Sequence, residues 1–252
     1  MKLQVFQVTP SVWCFRRRSY LTCSYLVRRA NRQIVMVDAG MDSSAQDVRV
    51  ALARAFDATI KDVAAVSVTH WHNDHAAGAQ VVQAQASAKI YYHAGDEPEL
   101  MRTTASQGVR GWLAGRVPEL GPLVLLKGLL GEATPRAVKA DVLVNDGDQI
   151  EEDFTVIATP GHTQGHVSFY YAPERVLFAG DALAVIGGNL RFMARSVTLN
   201  LKDARHSMRK CLELPIEHVC PGHRAPLSKD VPARCAEMRA LLTGSEHWPF
   251  FG

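Results

Sequence analysis

The segment THWHNDHAAG, residues 69–78, places three histidines and an aspartate within six consecutive positions. A solvated loop has no need of such crowding, and an apolar core would resist it unless the groups were paired. If the backbone is extended between His70 and His72, their side chains point the same way and can share one cation. Asp74 and His75 follow on the turn and point elsewhere, which suits a second cation. Imidazole and carboxylate together favour a borderline divalent metal, zinc above all.

A hydrolytic metal centre needs about three protein ligands per ion, so further ligands must come from other parts of the chain. Three candidates stand where predicted strands end: His162 in ATPGHTQGH, Asp181 in LFAGDAL and His223 in VCPGHRAP. Loops at a sheet edge bring together side chains that are distant in sequence. The sequence therefore predicts one metal site built from several separate segments.

The remaining histidines and cysteines need no such role. His166 is expected to fill a hydrogen-bonding position near His162 rather than to bind a metal ion. Cys220 lies near His223, and we expect it to behave as a buried small apolar side chain. The five cysteines are dispersed without a C-x-x-C pair, which is typical of reduced thiols. Surface or satisfied core positions are expected for His93, His206, His218 and His247.

Strand-like and helix-like segments alternate around these motifs. Strands are predicted at 3–9, 22–29 and 33–40, and the first two flank SVWCFRRRSY, interpreted as a hairpin tip. A helix capped by a serine is predicted in SAQDVRVALARAF. Further strands and helices follow in VAAVSVTH, AAGAQVVQAQ, AKIYYH, DVLVNDGDQI, FTVIATPG, HVSFYYA, RVLFAGDAL, KDARHSMRKCLEL, IEHVCPGH and residues 229–243.

Two groups of strands, each flanked by helices, indicate two sheets in a sandwich with helices on the outer faces. Residues 95–140 differ, because they are helix-like but interrupted by glycine and proline. We predict a single α/β domain over 1–252 with a helical insert at about 95–140.

Composition limits the function classes. The 252 residues are 47% hydrophobic and 21% charged, which is ordinary for a globular protein. A formal net charge of +3 is too weak to imply nucleic acid. No continuous apolar stretch reads as a leader or a membrane span, so we expect no membrane association and a cytoplasmic location.

From VDAG at 37–40 to PGH at 221–223, the sequence resembles the metallo-β-lactamase-fold hydrolases. The resemblance implies a four-layer αβ/βα sandwich with a dinuclear metal site between the sheets. It also implies that Asp38 supports the metal-binding loop. The cofactors implied are two divalent ions, Zn²⁺ foremost, with Fe or Mn also suited. By the same resemblance, the first ion is held by His70, His72 and His162, the second by Asp74, His75 and His223, and Asp181 bridges both.

Such a pair of ions implies metal-assisted hydrolysis. Two cations about 3.5–4 Å apart can hold a hydroxide between them, since zinc lowers the pKa of its water to about 7. That hydroxide is the expected nucleophile. Asp74 is expected to orient it through a free carboxylate oxygen, so Asp74 and Asp181 are the predicted catalytic residues. No GxSxG motif is present, and none is required.

The pattern TPGHTQGHVSFYY…VLFAGDAL is most similar to hydroxyacylglutathione hydrolases (glyoxalase II) and their relatives, including acyl-homoserine lactonases. ALAVIGGNLRFM resembles the substrate-side loop of glyoxalase II, which makes Arg191 an expected contact for an anionic substrate. The bridging Asp181 disfavours antibiotic-destroying β-lactamases, which generally lack it. Only 29 residues follow His223 (252 − 223), so we expect the glutathione-binding helical domain of glyoxalase II to be missing. The lactonase tyrosine after the bridging aspartate is replaced by ALAV.

Several alternatives stay open. We expect a small-molecule thioester or lactone as substrate. One alternative is a phosphodiesterase or nuclease that shares the HxHxDH motif. A β-lactamase and a non-catalytic metal-binding protein are less favoured alternatives. The segment 112–131 is interpreted as an apolar lid helped by Trp13 and Phe15, or as helices that cover the sandwich or join a homodimer. Residues 16–18, RRR, form a solvated loop or a phosphate clamp, and the tail HWPFF is expected to dock on the body or a partner.

Overall fold

The computed structural model describes residues 3–18, 21–101, 138–244 and 248. Most of the predicted insert, the whole of the proposed lid at 112–131, and the tail other than Trp248 lie outside the described residues. Trp248 itself docks on the body, since its indole N–H donates to the carbonyl oxygen of Met193 at 2.7 Å and its ring packs on Phe192.

The first sheet has seven strands arranged in chain order. Its first four strands pair antiparallel, and the last three continue the sheet in parallel. Parallel neighbours require crossover connections, which two of the helices below provide. The strands are β1 (Leu3–Gln7), β2 (Val12–Arg17), β3 (Thr22–Arg28), β4 (Ile34–Val37), β5 (Val63–Ser67), β6 (Lys89–His93) and β7 (Val142–Val144).

The second sheet has five strands, and a separate two-stranded hairpin follows its fourth strand in sequence. The five strands are β8 (Gln149–Ile150), β9 (Phe154–Ala158), β10 (Val167–Tyr171), β11 (Val176–Gly180) and β14 (His218–Pro221). Their order in the sheet is β14-β11-β10-β9-β8. The hairpin consists of β12 (Ala184–Ile186) and β13 (Asn189–Arg191). The described helices are α1 (Gln46–Phe56), α2 (Asn73–Ala76), α3 (Ala79–Ala86), α4 (Glu97–Leu100), α5 (Leu201–Leu212) and α6 (Val231–Thr243).

The strands build three separate apolar cores, because side chains alternate between the two faces of a sheet. In β3, Tyr25 and Val27 face the core between the sheets, whereas Leu26 faces the core shared with α1 and α3. In β11, Phe178 joins the core between the sheets, whereas Leu177 faces α5 and α6. Helix, sheet, sheet and helix therefore stack as four layers, and the predicted sandwich is confirmed.

Two local predictions were wrong. Residues 12–17 form strand β2 rather than a hairpin tip, because Val12 and Cys14 alternate into the core between the sheets. Helix α1 has no serine cap: Ala45 precedes it in a left-handed conformation, and the carboxylate of Asp42 accepts hydrogen bonds from its first N–H groups. A carboxylate is well placed there, since a helix N-terminus carries unpaired donors and a partial positive charge.

Among the described residues, none of the helices has the length and apolar character needed to cross a bilayer.

Candidate metal centre

The two sheets meet at one edge, where the loops that follow β5, β9, β11 and β14 converge. The backbone N–H of Val167 donates to the carbonyl oxygen of Thr69 at 2.9 Å, which ties the second sheet to the loop after β5. An isolated bridge joins Thr22 at the start of β3 to His223 after β14. Because β11 and β14 run parallel, Asp181 and His223 both emerge at the same end of the second sheet. The fold thus gathers all seven predicted ligands.

Three of these ligands form a compact triad of nitrogens. The Nδ1 atom of His72 lies 3.0 Å from Nε2 of His70 and 2.9 Å from Nε2 of His162. His70 and His162 are buried, and His72 is half-buried. Two nitrogens bound to one tetrahedral zinc ion stand about 3.4 Å apart, so three nitrogens this close have the spacing of ligands around a single ion. We refer to these residues as the first triad.

A second triad lies beside the first and contains Asp74, His75 and His223. The Oδ2 atom of Asp74 is 3.7 Å from Nε2 of His75 and 3.4 Å from Nε2 of His223. The two imidazole Nε2 atoms are 3.4 Å apart. The side chains of Asp74 and His223 are 21% and 27% exposed, so this triad faces the solvent side of the site.

Asp181 lies between the two triads. Its Oδ2 atom is 3.4 Å from Nε2 of His162 in the first triad and 3.4 Å from Nε2 of His223 in the second. Its Oδ1 atom lies 3.8 Å from Nε2 of His75. This oxygen is buried and has no hydrogen-bond partner among the described residues. A buried carboxylate oxygen without a donor is costly, and a shared cation is the compensation that its surroundings offer.

The protonation of the first triad suits metal binding. Burial, reinforced by the neighbouring imidazoles, holds the pKa of His70 well below its ordinary value. Burial and the adjacent His162 lower the pKa of His72 to about 3. Burial also lowers the pKa of His162. Neutral imidazole is the form that binds a metal ion, so all three residues offer lone pairs near neutral pH.

The negative charge of the site comes from Asp74 of the second triad and from Asp181. Burial raises the pKa of Asp181, but the imidazoles of His223 and His75 lower it by more, so it stays well below its usual range. The same two imidazoles lower the pKa of Asp74 against the effect of burial. Without a cation, these carboxylates in turn raise the pKa of His75 to about 9 and that of His223 to about 10, although burial opposes both shifts. The donor set therefore fits two divalent ions.

Asp38 fixes the orientation of one ligand in each triad. Its Oδ2 atom accepts a hydrogen bond from Nδ1 of His75 at 2.8 Å, which leaves Nε2 of His75 free to face Asp181. The Thr69 hydroxyl donates to the same carboxylate and therefore accepts from Nδ1 of His70 at 3.0 Å. The network thus assigns both histidines the tautomer whose Nε2 lone pair is available.

Replacing Asp38 by asparagine is expected to lower zinc affinity by about 10- to 100-fold, the usual effect of losing an outer partner of a ligand. The backbone should tolerate the change, because φ is +59° at Asp38 and asparagine adopts this region readily. The amide group would instead favour a proton on Nε2 of His75. Zinc competition with a chelator measures the effect. Asp42→Asn, at the cap of α1, is the control, and equal affinities in both variants would contradict this role.

His166 supports the site without facing either triad. Its Nε2 atom accepts from the backbone N–H of Asp181 at 2.9 Å, and its Nδ1 atom bonds to the hydroxyl of Thr159 at 2.7 Å. Both ring nitrogens are therefore engaged, which leaves neither for a metal ion. Burial holds the pKa of His166 well below its ordinary value, in keeping with a neutral ring. The residue fixes the backbone from which Asp181 projects.

Gly222, in the Pro-Gly turn before His223, leaves room for the bridging carboxylate. A Cβ atom there would overlap Oδ1 of Asp181 and lie 2.7 Å from Cε1 of His75. The conformation of Gly222 is not left-handed, so a substitution would act through this overlap rather than through backbone strain.

Gly222→Ala is accordingly expected to reduce turnover by about 10²-fold, as for a misplacement of about 1 Å at a catalytic group. Bound metal should fall with it. The control is Gly147→Ala, where nothing lies within 4 Å of the new Cβ but φ is +83°. This variant adds backbone strain without overlap, so its stability should fall while its metal content and turnover stay at the wild-type level. The measurements are the metal content and the initial rate of hydrolysis of both variants. A Gly222→Ala protein with full metal content and turnover would contradict the predicted overlap with Asp181.

The three predicted substrate contacts lie outside this cluster. Trp13 stands opposite Leu26, at the far end of β2 from the site, and its ring packs edge-on against Phe56 of α1. Phe15 is 3% exposed within the core shared with the helices. The predicted roles of Trp13 and Phe15 therefore do not match their positions. Arg191 is exposed at the end of β13, opposite Ala184, and its contact with an anionic substrate stays a prediction.

Thr22 is a site residue that the sequence did not reveal. Its buried side chain donates a hydrogen bond to Oδ2 of Asp74 at 3.3 Å. A threonine at the start of a strand carries no signal of its own, and only the bridge between Thr22 and His223 brings it to the second triad.

Comparison with known proteins identifies similar sequences. Residues 21–223 match the Metallo-beta-lactamase superfamily. A hydroxyacylglutathione hydrolase of Hamiltonella defensa is 27% identical over 210 residues, covering 81% of this chain and 63% of that protein. One from Cereibacter sphaeroides is 26% identical over 162 residues, covering 63% of this chain and 47% of that protein. The chain therefore spans between 47% and 63% of the length of these two relatives.

Solved structures with the same fold are similar over nearly the whole chain. Rm3 metallo-beta-lactamase has a TM-score of 0.65 at 22% identity and covers 95% of this chain and 92% of its own. BLEG-1 B3 metallo-beta-lactamase has a TM-score of 0.64 at 24% identity, and the match covers 96% of this chain and 100% of the BLEG-1 chain. TTHA1623 in a di-iron-bound form has a TM-score of 0.62 at 20% identity, and the match covers 92% of this chain and 98% of the TTHA1623 chain. At these identities the likeness concerns the fold alone.

Proposed function

This chain belongs to the metallo-beta-lactamase superfamily, and we propose that it is a dinuclear metal-dependent hydrolase of thioesters or lactones. The observation that carries the proposal is Asp181, whose Oδ2 atom is equally close to His162 of the first triad and His223 of the second. A carboxylate in that place joins two ligand sets into one site. The similarity to hydroxyacylglutathione hydrolases makes thioesters the first substrates to test.

In the proposed site, the first triad would hold one divalent ion, the second triad would hold another, and Asp181 would be shared between them. Divalent ions bound there would supply Lewis acidity, which would polarise a carbonyl oxygen and lower the pKa of a water molecule to about 7. Zinc fits the donor set best, and iron or manganese is also suited.

The chain's own groups position the reactants. The Oδ2 atom of Asp74 faces Thr22, His75 and His223, so its Oδ1 atom is left to accept a hydrogen bond from the attacking water. The water oxygen bonds to the carbonyl carbon, the bond to sulfur or to the lactone oxygen breaks, and the proton lost by the water goes to the leaving group. The ionised state of Asp74 supports this role, because His75 and His223 lower its pKa.

The test is to measure hydrolysis of three substrates by the zinc-loaded protein: a lactoylglutathione thioester, a long-chain acyl-homoserine lactone and a chromogenic phosphodiester. Turnover of one or both carbonyl substrates, lost when the metal is removed, is the expected result. Turnover of the phosphodiester alone, falling steeply with salt, would overturn the proposal in favour of phosphoryl chemistry.

A further inference from the structure

Asp96 is a buried carboxylate close to, but outside, the two triads. It ends the single 3₁₀ turn Ala94–Asp96 that follows β6, and only 2% of it is exposed. Its carboxylate accepts three hydrogen bonds: from the backbone N–H of Trp71 at 3.0 Å, the hydroxyl of Thr163 at 2.8 Å and the backbone N–H of Gly165 at 2.7 Å.

These donors come from the two loops that carry the first triad. Trp71 stands between His70 and His72, so its N–H is part of the backbone that spaces these two ligands. Thr163 follows His162 directly in the loop after β9. One carboxylate therefore binds the loop of the first sheet to the loop of the second, immediately beside each ligand of the first triad.

The contact requires an unusually close approach of two backbones. A Cβ atom at Gly165 would lie 2.7 Å from Oδ1 of Asp96, and a Cβ atom at Gly95 would lie 2.9 Å from Cα of Gly165. Glycine at both positions lets the turn after β6 reach the loop after β9. The arrangement is thus built into the chain at three adjoining positions, rather than being an incidental surface contact.

Burial makes this carboxylate depend on its donors. Burial raises the pKa of Asp96, and the hydrogen bonds from Thr163, Gly165 and Trp71 oppose that shift. A buried carboxylate is tolerated only when such donors replace its water. In return, the carboxylate holds the donors at fixed distances from one another.

We propose that Asp96 is a positioning residue, which fixes the distances among His70, His72 and His162 and thereby sets the affinity of the first triad for its metal ion. The inference rests on the ligand sets proposed above. Asp96 belongs to neither triad. It acts through the backbone of Trp71 and the side chain of Thr163, as outer partners of metal ligands do.

The test compares zinc affinities, measured by competition with a chromogenic chelator on metal-stripped protein. In either orientation of its amide, Asp96→Asn would turn the N–H₂ group toward a backbone N–H, that of Gly165 or that of Trp71, which can only donate. We therefore expect a loss of about 10- to 100-fold in at least one of the two binding constants. Asp141→Asn is the matched control, because Asp141 also accepts a backbone N–H, that of Ile90 at the start of β6, away from the triads.

A second pair of variants covers the case in which Asp96→Asn does not fold. Thr163→Val removes one of the three hydrogen bonds, whereas Thr163→Ser keeps the hydroxyl. Zinc affinity should fall in the first variant and be restored in the second. Thermal unfolding of the stripped proteins separates positioning from a merely structural role, since a structural role would lower stability and leave the zinc affinity of the folded protein unchanged.

The outcomes distinguish this inference from the proposed function. Wild-type protein that fails to bind two zinc ions would overturn the ligand sets themselves. Wild-type protein that binds two ions, together with unchanged affinity in both Asp96→Asn and Thr163→Val, would overturn the positioning role alone.

Discussion

Replacing Asp181 by alanine is expected to reduce hydrolysis by about 10³-fold or more and to lower the metal content below two ions per chain. Asp181 contacts both triads, so its loss should weaken the binding of each proposed ion and remove a negative charge that would balance the ions. Metal-assisted polarisation contributes several kcal/mol to a hydrolytic barrier. A loss of about 4 kcal/mol corresponds to about 10³-fold in rate.

The control for this variant is Glu237→Ala. Glu237 lies on the surface of α6, where it pairs with Arg234 and is 53% exposed. Surface changes of this kind usually alter stability by no more than about 0.5 kcal/mol, so metal content and turnover should stay at the wild-type level. An Asp181→Ala protein that kept both ions and full turnover would refute its bridging role.

Removing the metal ions with a chelator is expected to lower the melting temperature on the order of 10 °C. A ligand present at about 1,000 times its Kd stabilises the folded state by about 4 kcal/mol. Without cations, the close nitrogen atoms of the first triad have no shared partner. The carboxylates of Asp74 and Asp181 are then balanced only by the imidazoles of His75 and His223, whose pKa values they raise. Thermal unfolding before and after chelation, followed by zinc addition, measures the shift and its reversal.

The same treatment of Asp181→Ala supplies the comparison. Because this variant should hold its ions weakly, chelation should change its melting temperature much less than that of the wild type. Equal melting temperatures for the stripped and zinc-loaded wild-type protein would contradict the presence of a metal centre that stabilises the fold.

The seven candidate ligands could be picked out from the sequence because each one carries a local signal. His70, His72, Asp74 and His75 crowd one turn, and the other three follow strands at Pro-Gly turns or at a strand end. The two-sheet arrangement could also be predicted from the sequence, since alternating apolar residues mark the strands.

Features that depend on contacts between distant parts of the chain could not be predicted from the sequence. Thr22 at the start of β3 and Asp96 in the turn after β6 are ordinary polar residues. Their roles arise only from hydrogen bonds to segments far away in sequence. The strand character of residues 12–17 was hidden by the arginines at its end, and the cap of α1 was hidden because Asp42 reaches it across several residues. Trp13 was placed at the site only because β2 was interpreted as a hairpin tip.

The most direct test of a dinuclear hydrolase is to titrate zinc into the metal-stripped protein while recording bound ions per chain and the rate of thioester or lactone hydrolysis. We predict that binding saturates at two ions per chain and that the rate rises with this binding. Saturation at one ion or none, or a rate that does not depend on added metal, would contradict the assignment of the two triads and of Asp181 between them.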